Sequence, residues 1–286
     1  MKIAIIPNSD KPKALEYAQN IVEVMHRHDV TFCIPSAFAD RFDSSYNIEY
    51  CNTNSELTAA GDMIIAVGGD GTIIHAAKHA AEQHKPVLGV NCGRIGFVAN
   101  LEPAEINLLE RLFTGDFQID ERMMLEINIV KDGQKSSFYA LNEVTVTRGS
   151  LSRMIELSVA LNDEFINNYR ADGLILSTPT GSTAYSLSAG GPVIEPHMKC
   201  ILLTPICPQS LSSRSVLFAD DSHITVTPIM GDDNDIFVTV DGIKSVKLEQ
   251  GDCVSVKKSG ITANFIKLNQ KNFYRILNDK LSERRK

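Results

Sequence analysis

The chain of 286 residues has the composition of an ordinary globular protein, with 43% hydrophobic and 22% charged residues, which excludes disordered and collagen-like classes. At roughly 150 residues per domain, this length corresponds to about two domains. The chain carries 28 basic and 35 acidic residues, a net charge of −7, so a nucleic-acid partner bound through a dominant basic surface is not expected.

The N-terminus and the cysteines predict a cytoplasmic protein. The apolar run Ile3–Ile6 ends at Pro7 and is too short for a secretory signal, and no apolar run approaches the roughly 18 residues of a membrane span. The six cysteines are widely spaced and form no C-x-x-C pair, so we expect reduced, buried thiols and no metal site. No membrane partner is expected.

The first hundred residues alternate strand and helix signals. Apolar runs predict strands at Ile3–Ile6, Met63–Val67 and Val87–Val90, and helical spacing of apolar residues predicts helices at Pro12–His28 and Ile73–Ala81. Because the strands are apolar throughout and do not alternate, we expect a parallel, Rossmann-like sheet that is covered on both faces.

Beyond residue 100 the pattern changes. Pro103–Gly115 predicts a helix with proline at its start and glycine after its end. Leu125–Ile129 alternates, the turn signal Lys131-Asp132-Gly133 follows, and a series of short β-type runs predicts a sandwich-like all-β domain. These runs are Phe138–Thr147, Met154–Leu161, Leu174–Ser177, Ile201–Thr204, Ile224–Pro228, Ile236–Val240 and Ile261–Leu268.

The predicted domains are an α/β domain at 1–110, a β-rich domain at 111–268 and a helical tail at 269–286. In the tail, Phe273, Ile276, Leu277 and Leu281 lie on one helical face. We therefore expect this C-terminal helix to pack back on the N-terminal domain.

The first motif is Gly68-Gly69-Asp70-Gly71-Thr72, which follows a predicted strand and opens a predicted helix. Glycines allow the backbone to approach a phosphate closely, and the N–H groups at a helix start bind anions. A carboxylate here suits a metal ion or a hydroxyl that attacks a phosphoryl group. The alternative is that Asp70 only caps the helix. The motif is neither a Walker A loop nor G-x-G-x-x-G.

Two further motifs carry polar side chains. Asp172-Gly173 precedes the segment Ser177–Pro192, which holds eight Ser, Thr or Tyr hydroxyls and three glycines that could bind phosphate and ribose. Its alternative is a solvated loop. Asn142-Glu143 interrupts an apolar run, and a glutamate that accepts two hydroxyls suits a ribose diol. An exposed strand face would also explain this pair.

Together with Asn91-x-Gly93-x-x-Gly96-Phe97, these motifs resemble the bacterial NAD kinase (ATP-NAD kinase) family. The Gly-Gly-Asp-Gly element alone is shared with lipid kinases and phosphofructokinase-type kinases, whereas the long hydroxyl segment is more specific. The motifs cover residues 68–192, and the two-domain plan fits nearly the whole chain. The resemblance implies that ATP phosphorylates the 2′-hydroxyl of the adenosine ribose of NAD, giving NADP.

The resemblance also implies roles for individual residues. Asp70 is the catalytic carboxylate, Asn142 and Glu143 bind ribose hydroxyls, and Asp172 lies on the nicotinamide side of a β-rich dinucleotide-binding domain. The other nucleotide-binding residues are Gly71 and Thr72 in the loop, Phe97 at the adenine end, Arg153, Arg170, Thr183, Ala184, Tyr185 as a stacking surface, and Ser188.

Mg²⁺ is expected to arrive with ATP, with no site held by the protein, and a homo-oligomer (dimer or tetramer) is expected from the family plan. Two departures are Gln209, where many relatives carry His, and Arg94, which occupies a variable place. Two alternatives remain open: a lipid or sugar kinase that shares only the Gly-Gly-Asp-Gly element, and a non-catalytic dinucleotide sensor. The intact Asp70 disfavours the sensor.

Overall fold

The computed structural model describes residues 1–93, 96–131, 133–149, 153–229, 235–269 and 272–283. Residues 281–283 are described by their backbone alone. The chain divides into two compact units, Met1–Glu121 with Ala263–Lys286 and Arg122–Thr262. Segments 111–121 and 263–268, which the sequence assigned to the β-rich domain, thus belong to the first unit. No helix among the described residues is long and apolar enough to cross a membrane.

Five parallel strands organise the first unit. In chain order they are β1 (Lys2–Pro7), β2 (Thr31–Pro35), β3 (Ile48–Cys51), β4 (Met63–Gly68) and β5 (Val87–Asn91). They are arranged β5-β4-β1-β2-β3, and every neighbouring pair is parallel. The predicted parallel sheet is confirmed, and β4 and β5 are buried along their whole length, as continuous apolar strands require.

The α-helices in the N-terminal part of this unit are α1 (Pro12–Met25), α2 (Asn54–Ala60), α3 (Asp70–Glu82) and α4 (Arg111–Thr114). Helix α1 buries Ala14, Ala18, Ile21, Val22 and Met25, the stripe expected from its spacing. It ends at Met25, three residues before the predicted end.

The predicted helix at Pro103–Gly115 differs in kind. Residues Pro103–Glu110 form a 3₁₀ helix, and only α4 after it is α-helical. The apolar residues Ile106, Leu109 and Leu112 recur every third residue, which is the period of a 3₁₀ helix. Gly115 does end the segment, in the left-handed conformation with φ of +69°.

Two antiparallel sheets make up most of the second unit. The remaining strands of the chain are β6 (Gln118–Lys131), β7 (Gln134–Ala140), β8 (Glu143–Arg148), β9 (Ile155–Leu161), β10 (Glu164–Ala171), β11 (Gly173–Ser177), β12 (Cys200–Ile206), β13 (Val216–Ala219), β14 (Ile224–Ile229), β15 (Ile236–Val240), β16 (Lys244–Leu248) and β17 (Cys253–Lys267). One sheet has the order β13-β12-β11-β8-β15-β16. The other comprises β10, β9, β14, β17, β6 and β7, and it is continuous with the parallel strands, because the end of β17 pairs with β5 at Phe265 and Val87.

Side chains from both sheets form one buried cluster, which confirms the β-rich, sandwich-like prediction. Leu157 and Val226 enter it from one sheet, and Val146, Leu174 and Val238 enter it from the other. The chain passes between the two units within β6 and within β17, because each of these strands continues across a unit boundary.

Several strand predictions need correction. The run Phe138–Thr147 is two strands, since Leu141 and Asn142 form a bend between β7 and β8. Strand β17 begins at Cys253, not at Ile261. The elements that escaped prediction, β2, β3, α2, β10, β13 and β16, are short or have polar and exposed residues that blur their periodicity.

The C-terminal helix α6 (Phe273–Glu283) belongs to the first unit, as predicted. Its Phe273 ring lies 6.2 Å from the ring of Phe97, measured between centroids. The short helix α5 (Tyr185–Ser188) belongs to the second unit.

All six cysteines are free thiols. Cys33, Cys92 and Cys200 are buried, as expected, whereas Cys51 and Cys253 are half-buried. Cys207 is exposed, and the prediction of a buried thiol is wrong there, because Cys207 follows the end of β12 in a turn with φ of +45°.

Candidate active site

The glycine-rich motif connects β4 to α3. Gly68 ends the strand, and a Cβ at this position would lie 2.5 Å from Thr72 Oγ1, so the close packing requires glycine. Thr72 Oγ1 also accepts a hydrogen bond of 2.7 Å from Asn8 Nδ2. The surroundings of Gly71 are open, with no atom within 4 Å of an added Cβ. The loop is therefore held by Thr72 and leaves space at Gly71, beside the helix start.

Asp70 is held by backbone N–H groups of a different segment. Its Oδ2 accepts the Phe97 N–H at 2.9 Å, and its Oδ1 accepts the Val98 N–H at 3.3 Å. The N-cap of α3 is Gly69, so Asp70 does not serve as the helix cap. A Cβ at Gly96 would collide with Asp70 Oδ1, and the loop can approach the carboxylate only because residue 96 is glycine. The side chain of Asp70 remains 28% exposed and can be reached by a ligand.

Helix α6 brings a cation to this carboxylate. Lys280 Nζ lies 3.5 Å from Asp70 Oδ2 and 4.2 Å from the centre of the Phe97 ring. Sequence reasoning missed Lys280. Phe273 and Lys280 are seven residues apart and share one helical face, but this spacing does not indicate which part of the chain that face contacts.

Asn142 lies in the bend between β7 and β8, and Glu143 is the first residue of β8. Glu143 is 8% exposed, and its Oε2 has no hydrogen-bond partner among the described residues. Burial, and then the negative charge of Asp241, raise the pKa of Glu143 to about 7, although the Tyr185 backbone N–H bonds the carboxylate and opposes this shift. Asn142 is half-buried. The alternative of an exposed strand face does not hold for Glu143.

Most hydroxyls of the Ser177–Pro192 segment are used inside the protein. Thr178 Oγ1 donates to the Leu141 carbonyl at 2.6 Å, Ser182 Oγ donates to the Pro179 carbonyl at 2.6 Å, and Ser186 Oγ lies 2.8 Å from Thr204 Oγ1. The segment is therefore a folded framework, not a solvated loop.

The predicted residues of this segment differ in exposure. Thr183 is buried in a 3₁₀ turn and donates to the Thr180 carbonyl at 3.2 Å. Ala184 is half-buried, whereas Tyr185 and Ser188 are exposed on α5. Tyr185 and Ser188 are thus the two predicted side chains here that are freely presented to a ligand.

A cavity of about 480 Å³ lies within the second unit. Its lining includes the predicted residues Glu143, Asp172 and Tyr185. Arg148, which sequence reasoning missed, also lines it, and its Nε donates to Asp172 Oδ1 at 2.6 Å. The cavity therefore combines a buried carboxyl group, an ion pair and an exposed aromatic ring, a set that suits a polar ligand with a flat ring.

Other predicted residues lie outside this lining. Asn142, Thr183, Ala184 and Ser188 flank it in sequence, and Arg153 is exposed just before β9. Arg170 is exposed on β10, and its carbonyl accepts the Gln209 N–H at 2.9 Å. Arg94 lies outside the described residues.

We expect Glu143 to destabilise the nucleotide-free protein as pH rises. Folding raises the pKa of Glu143 from 4.5 to about 7, so the folded chain binds this proton more tightly, and the free energy of unfolding falls between these pH values. Relative to wild type, Glu143→Gln should be more stable at about pH 8 than at about pH 5, by on the order of 2–3 kcal/mol.

Urea unfolding of both proteins without nucleotide measures this difference. Glu164→Gln, a change at an exposed glutamate of β10, is the matched control. An equal stability gap between Glu143→Gln and wild type at both pH values would contradict the prediction.

Known proteins that are similar to this chain match it over nearly its whole length. Residues 3–117 match the family model described as ATP-NAD kinase N-terminal domain, and residues 141–268 match ATP-NAD kinase C-terminal domain. The NAD kinase of a Thermoanaerobacter species is 39% identical over 285 residues, covering 99% of each chain. The NAD kinase of Heliobacterium modesticaldum is 40% identical over 285 residues, again covering 99% of each chain.

Two solved structures are also similar. Yeast NADH kinase complexed with NADH has a TM-score of 0.90 and 27% identity, over 99% of this chain and 87% of the yeast chain. An NAD kinase from Archaeoglobus fulgidus in complex with ATP has a TM-score of 0.76 and 26% identity, over 99% of both chains. These findings favour neither a lipid or sugar kinase nor a sensor. The chain belongs to the ATP-NAD kinase family.

Proposed function

We propose that this protein transfers the γ-phosphoryl group of ATP to the 2′-hydroxyl of the adenosine ribose of NAD, which gives NADP and ADP. The observation that carries the proposal is Asp70, a carboxylate oriented by two backbone N–H groups in the first turn of a helix that follows a glycine-rich loop. The relatives with NADH and with ATP support a dinucleotide and ATP as its ligands.

Asp70 is the proposed catalytic residue. Its carboxylate accepts a hydrogen bond from the 2′-hydroxyl and orients this oxygen toward the γ-phosphorus. The bond from the 2′-oxygen to phosphorus forms as the bond from phosphorus to the β,γ-bridging oxygen breaks, and ADP leaves. The hydroxyl proton passes to Asp70 and then to solvent. In a loose transition state the proton moves late, so orientation is the main contribution of the carboxylate.

Because the chain has a net charge of −7, the negative charge of the ATP phosphates has to be offset by local donors and cations. The N-terminus of α3, with Gly71 and Thr72, supplies backbone donors to the phosphates. We propose that Mg²⁺ arrives bound to ATP and neutralises the phosphate charge. Both oxygens of Asp70 already accept N–H groups. Lys280, at 3.5 Å from Asp70, adds a positive charge to this region.

The second unit is the proposed dinucleotide-binding part. Glu143 and Asn142 bind ribose hydroxyls, Asp172 lies toward the nicotinamide, and Tyr185 stacks on a ring. Thr183, Ala184 and Ser188 line the nucleotide pocket, and Arg153 and Arg170 approach the anionic ligand. Phe97, a residue of the first unit, is the proposed contact for the adenine. The buried Oε2 of Glu143 has no hydrogen-bond partner in the described part of the chain, and this supports a hydroxyl ligand, because an acceptor without a partner gains most from a donor.

We further propose a cytoplasmic homo-oligomer, a dimer or a tetramer. Six free thiols support a reducing compartment. Sedimentation would measure the assembly against the 31.4 kDa of one chain.

An assay of NADP formation tests the activity directly. The protein is incubated with NAD, ATP and Mg²⁺, and NADP is detected with an NADP-specific dehydrogenase. No NADP above a boiled control would refute the proposed reaction. Phosphorylation of a lipid in its place would support a lipid kinase, and saturable NAD binding without turnover would support a sensor.

Asp70→Asn should lower kcat by on the order of 10²–10⁴ while NAD binding is retained, because the amide keeps the shape but is a poor proton acceptor. Steady-state kinetics with NAD titration measure both effects. Asp43→Asn is the matched control, since Asp43 also accepts a backbone N–H, from Ser45 at 2.8 Å, at an exposed position. Near-normal turnover of Asp70→Asn would show that Asp70 has only a structural role at the start of α3.

Gly96→Ala should reduce kcat by about tenfold or more without changing the charge of the protein, because the added methyl group displaces the Asp70 carboxylate. Gly260→Ala is the control, as an added Cβ there meets no atom within 4 Å. Thermal melting monitors folding. Turnover equal to that of the control would mean that catalysis does not depend on the close packing of Asp70 against Gly96.

A further inference from the structure

Asp241 joins two segments of the second unit that are distant in sequence. Its Oδ2 accepts the Leu141 N–H at 3.0 Å, and its Oδ1 accepts the N–H groups of Asn142 at 2.9 Å and Glu143 at 3.0 Å. In return, the Asp241 N–H donates to the Glu143 carbonyl at 2.9 Å. One carboxylate therefore holds the three consecutive amide groups of residues 141–143, where the bend leads into β8.

The turn that carries Asp241 does not by itself explain this arrangement. Asp241 has φ of +47° and is followed by Gly242 with φ of +69°, a pair typical of hairpin turns such as the one between β15 and β16. A hairpin turn of this kind needs no bond from its aspartate to a third strand. A positive φ is uncommon for residues other than glycine and persists where surrounding contacts determine it.

The carbonyl groups of the bend are hydrogen-bonded as well, to Thr178. The Leu141 carbonyl accepts Thr178 Oγ1 at 2.6 Å, and the Asn142 carbonyl accepts the Thr178 N–H at 2.9 Å. Gly181 packs against the Asn142 carbonyl so closely that a Cβ would collide with it. The backbone of this bend is thus satisfied, whereas the buried Glu143 Oε2 has no partner among the described residues.

The charge of Asp241 acts on the same carboxyl group. Burial contributes most to the raised pKa of Glu143, and Asp241 contributes next. Of the other ionisable groups in the cavity lining, Arg148 and Asp172 bind each other at 2.6 Å, so their net charge is small, and Tyr185 presents its backbone N–H to Glu143. Asp241 is therefore the charged group that acts most directly on Glu143.

We propose that Asp241 is a positioning residue of the ribose site: by holding the amide groups of residues 141–143, its carboxylate fixes the direction in which Asn142 and Glu143 meet the two hydroxyls of a ribose. The inference rests on the proposed function, since it takes the dinucleotide as the ligand. It adds a residue that makes no contact with the reacting atoms but determines how the site is presented.

Three variants test this role by calorimetric NAD binding without ATP and by steady-state kinetics. Asp241→Ala should weaken NAD binding and raise KM for NAD about 10- to 100-fold, with KM for ATP changed by less than about twofold. Asp241→Asn should be intermediate, because its amide oxygen can replace Oδ1 for Asn142 and Glu143 but not Oδ2 for Leu141. Asp252→Ala is the control: it removes a 2.7 Å bond from the Glu249 N–H in a turn, and NAD binding should be unchanged.

The pH dependence separates positioning from general damage to the fold. In the wild type, NAD binding should tighten as pH rises through about 7, as Glu143 ionises and becomes a stronger acceptor. In Asp241→Asn this transition should move to lower pH, because the neighbouring negative charge is gone. A variant that only loosens the fold would lose affinity without moving the transition.

The outcomes distinguish this inference from the proposed function. If the wild type forms NADP and both Asp241 variants bind NAD as it does, the positioning role is wrong and the activity stands. If the wild type binds NAD without forming NADP, the activity fails and the dissociation constants still decide the role of Asp241. A wild type that binds no NAD overturns both. If Asp241→Ala does not fold, the affinity and pH profile of Asp241→Asn carry the test.

Discussion

Hydrogen bonds from backbone amides to carboxylates are the interaction on which the candidate site depends. In the first unit, two such groups orient Asp70, and in the second unit three of them bind Asp241. A carboxylate removed from water is costly unless it is hydrogen-bonded, and amide donors satisfy it without adding a mobile side chain. An acidic chain that handles anionic nucleotides can thereby keep carboxylates in the site at defined positions.

The hydroxyl-rich segment Ser177–Pro192 is also held in place by hydrogen bonds, here made by its own side chains. Thr178, Ser182 and Ser186 bind neighbouring groups of the protein and are buried. Their polar atoms build a rigid backbone path, and this path presents Tyr185 and Ser188 at the surface of α5. Hydroxyl density in a sequence therefore does not show which hydroxyls are buried in internal hydrogen bonds and which are exposed.

Preorganisation has a stability cost that is concentrated at Glu143. Its carboxyl group is buried, one of its oxygens has no partner among the residues that the structure describes, and the negative charge of Asp241 acts on it. A buried acceptor of this kind costs stability, because no hydrogen bond compensates for its removal from water. The left-handed conformation of Asp241 is a second local cost, and it is maintained by the bonds to the bend.

The sequence alone determined the fold class, the parallel character of the N-terminal sheet and the motifs around Asp70, Glu143 and Tyr185. These are local signals, because periodicity and glycine spacing act over a few residues. Strands with mixed polarity, such as β3 and β10, left no clear local pattern. The 3₁₀ geometry before α4 was hidden as well, since apolar spacing of three residues fits both helix types.

Only the tertiary structure decided which groups meet across long stretches of chain. Lys280 reaches Asp70 over 210 residues, and Asp241 reaches the bend at Leu141 over 100 residues. No sequence pattern encodes such pairs, because they arise from how sheets and helices pack and not from neighbours along the chain. The sequence thus singled out Asp70 and Glu143 as candidate carboxylates, whereas the packing determined that Asp70 accepts the N–H groups of Phe97 and Val98 and that Asp241 accepts the Glu143 N–H.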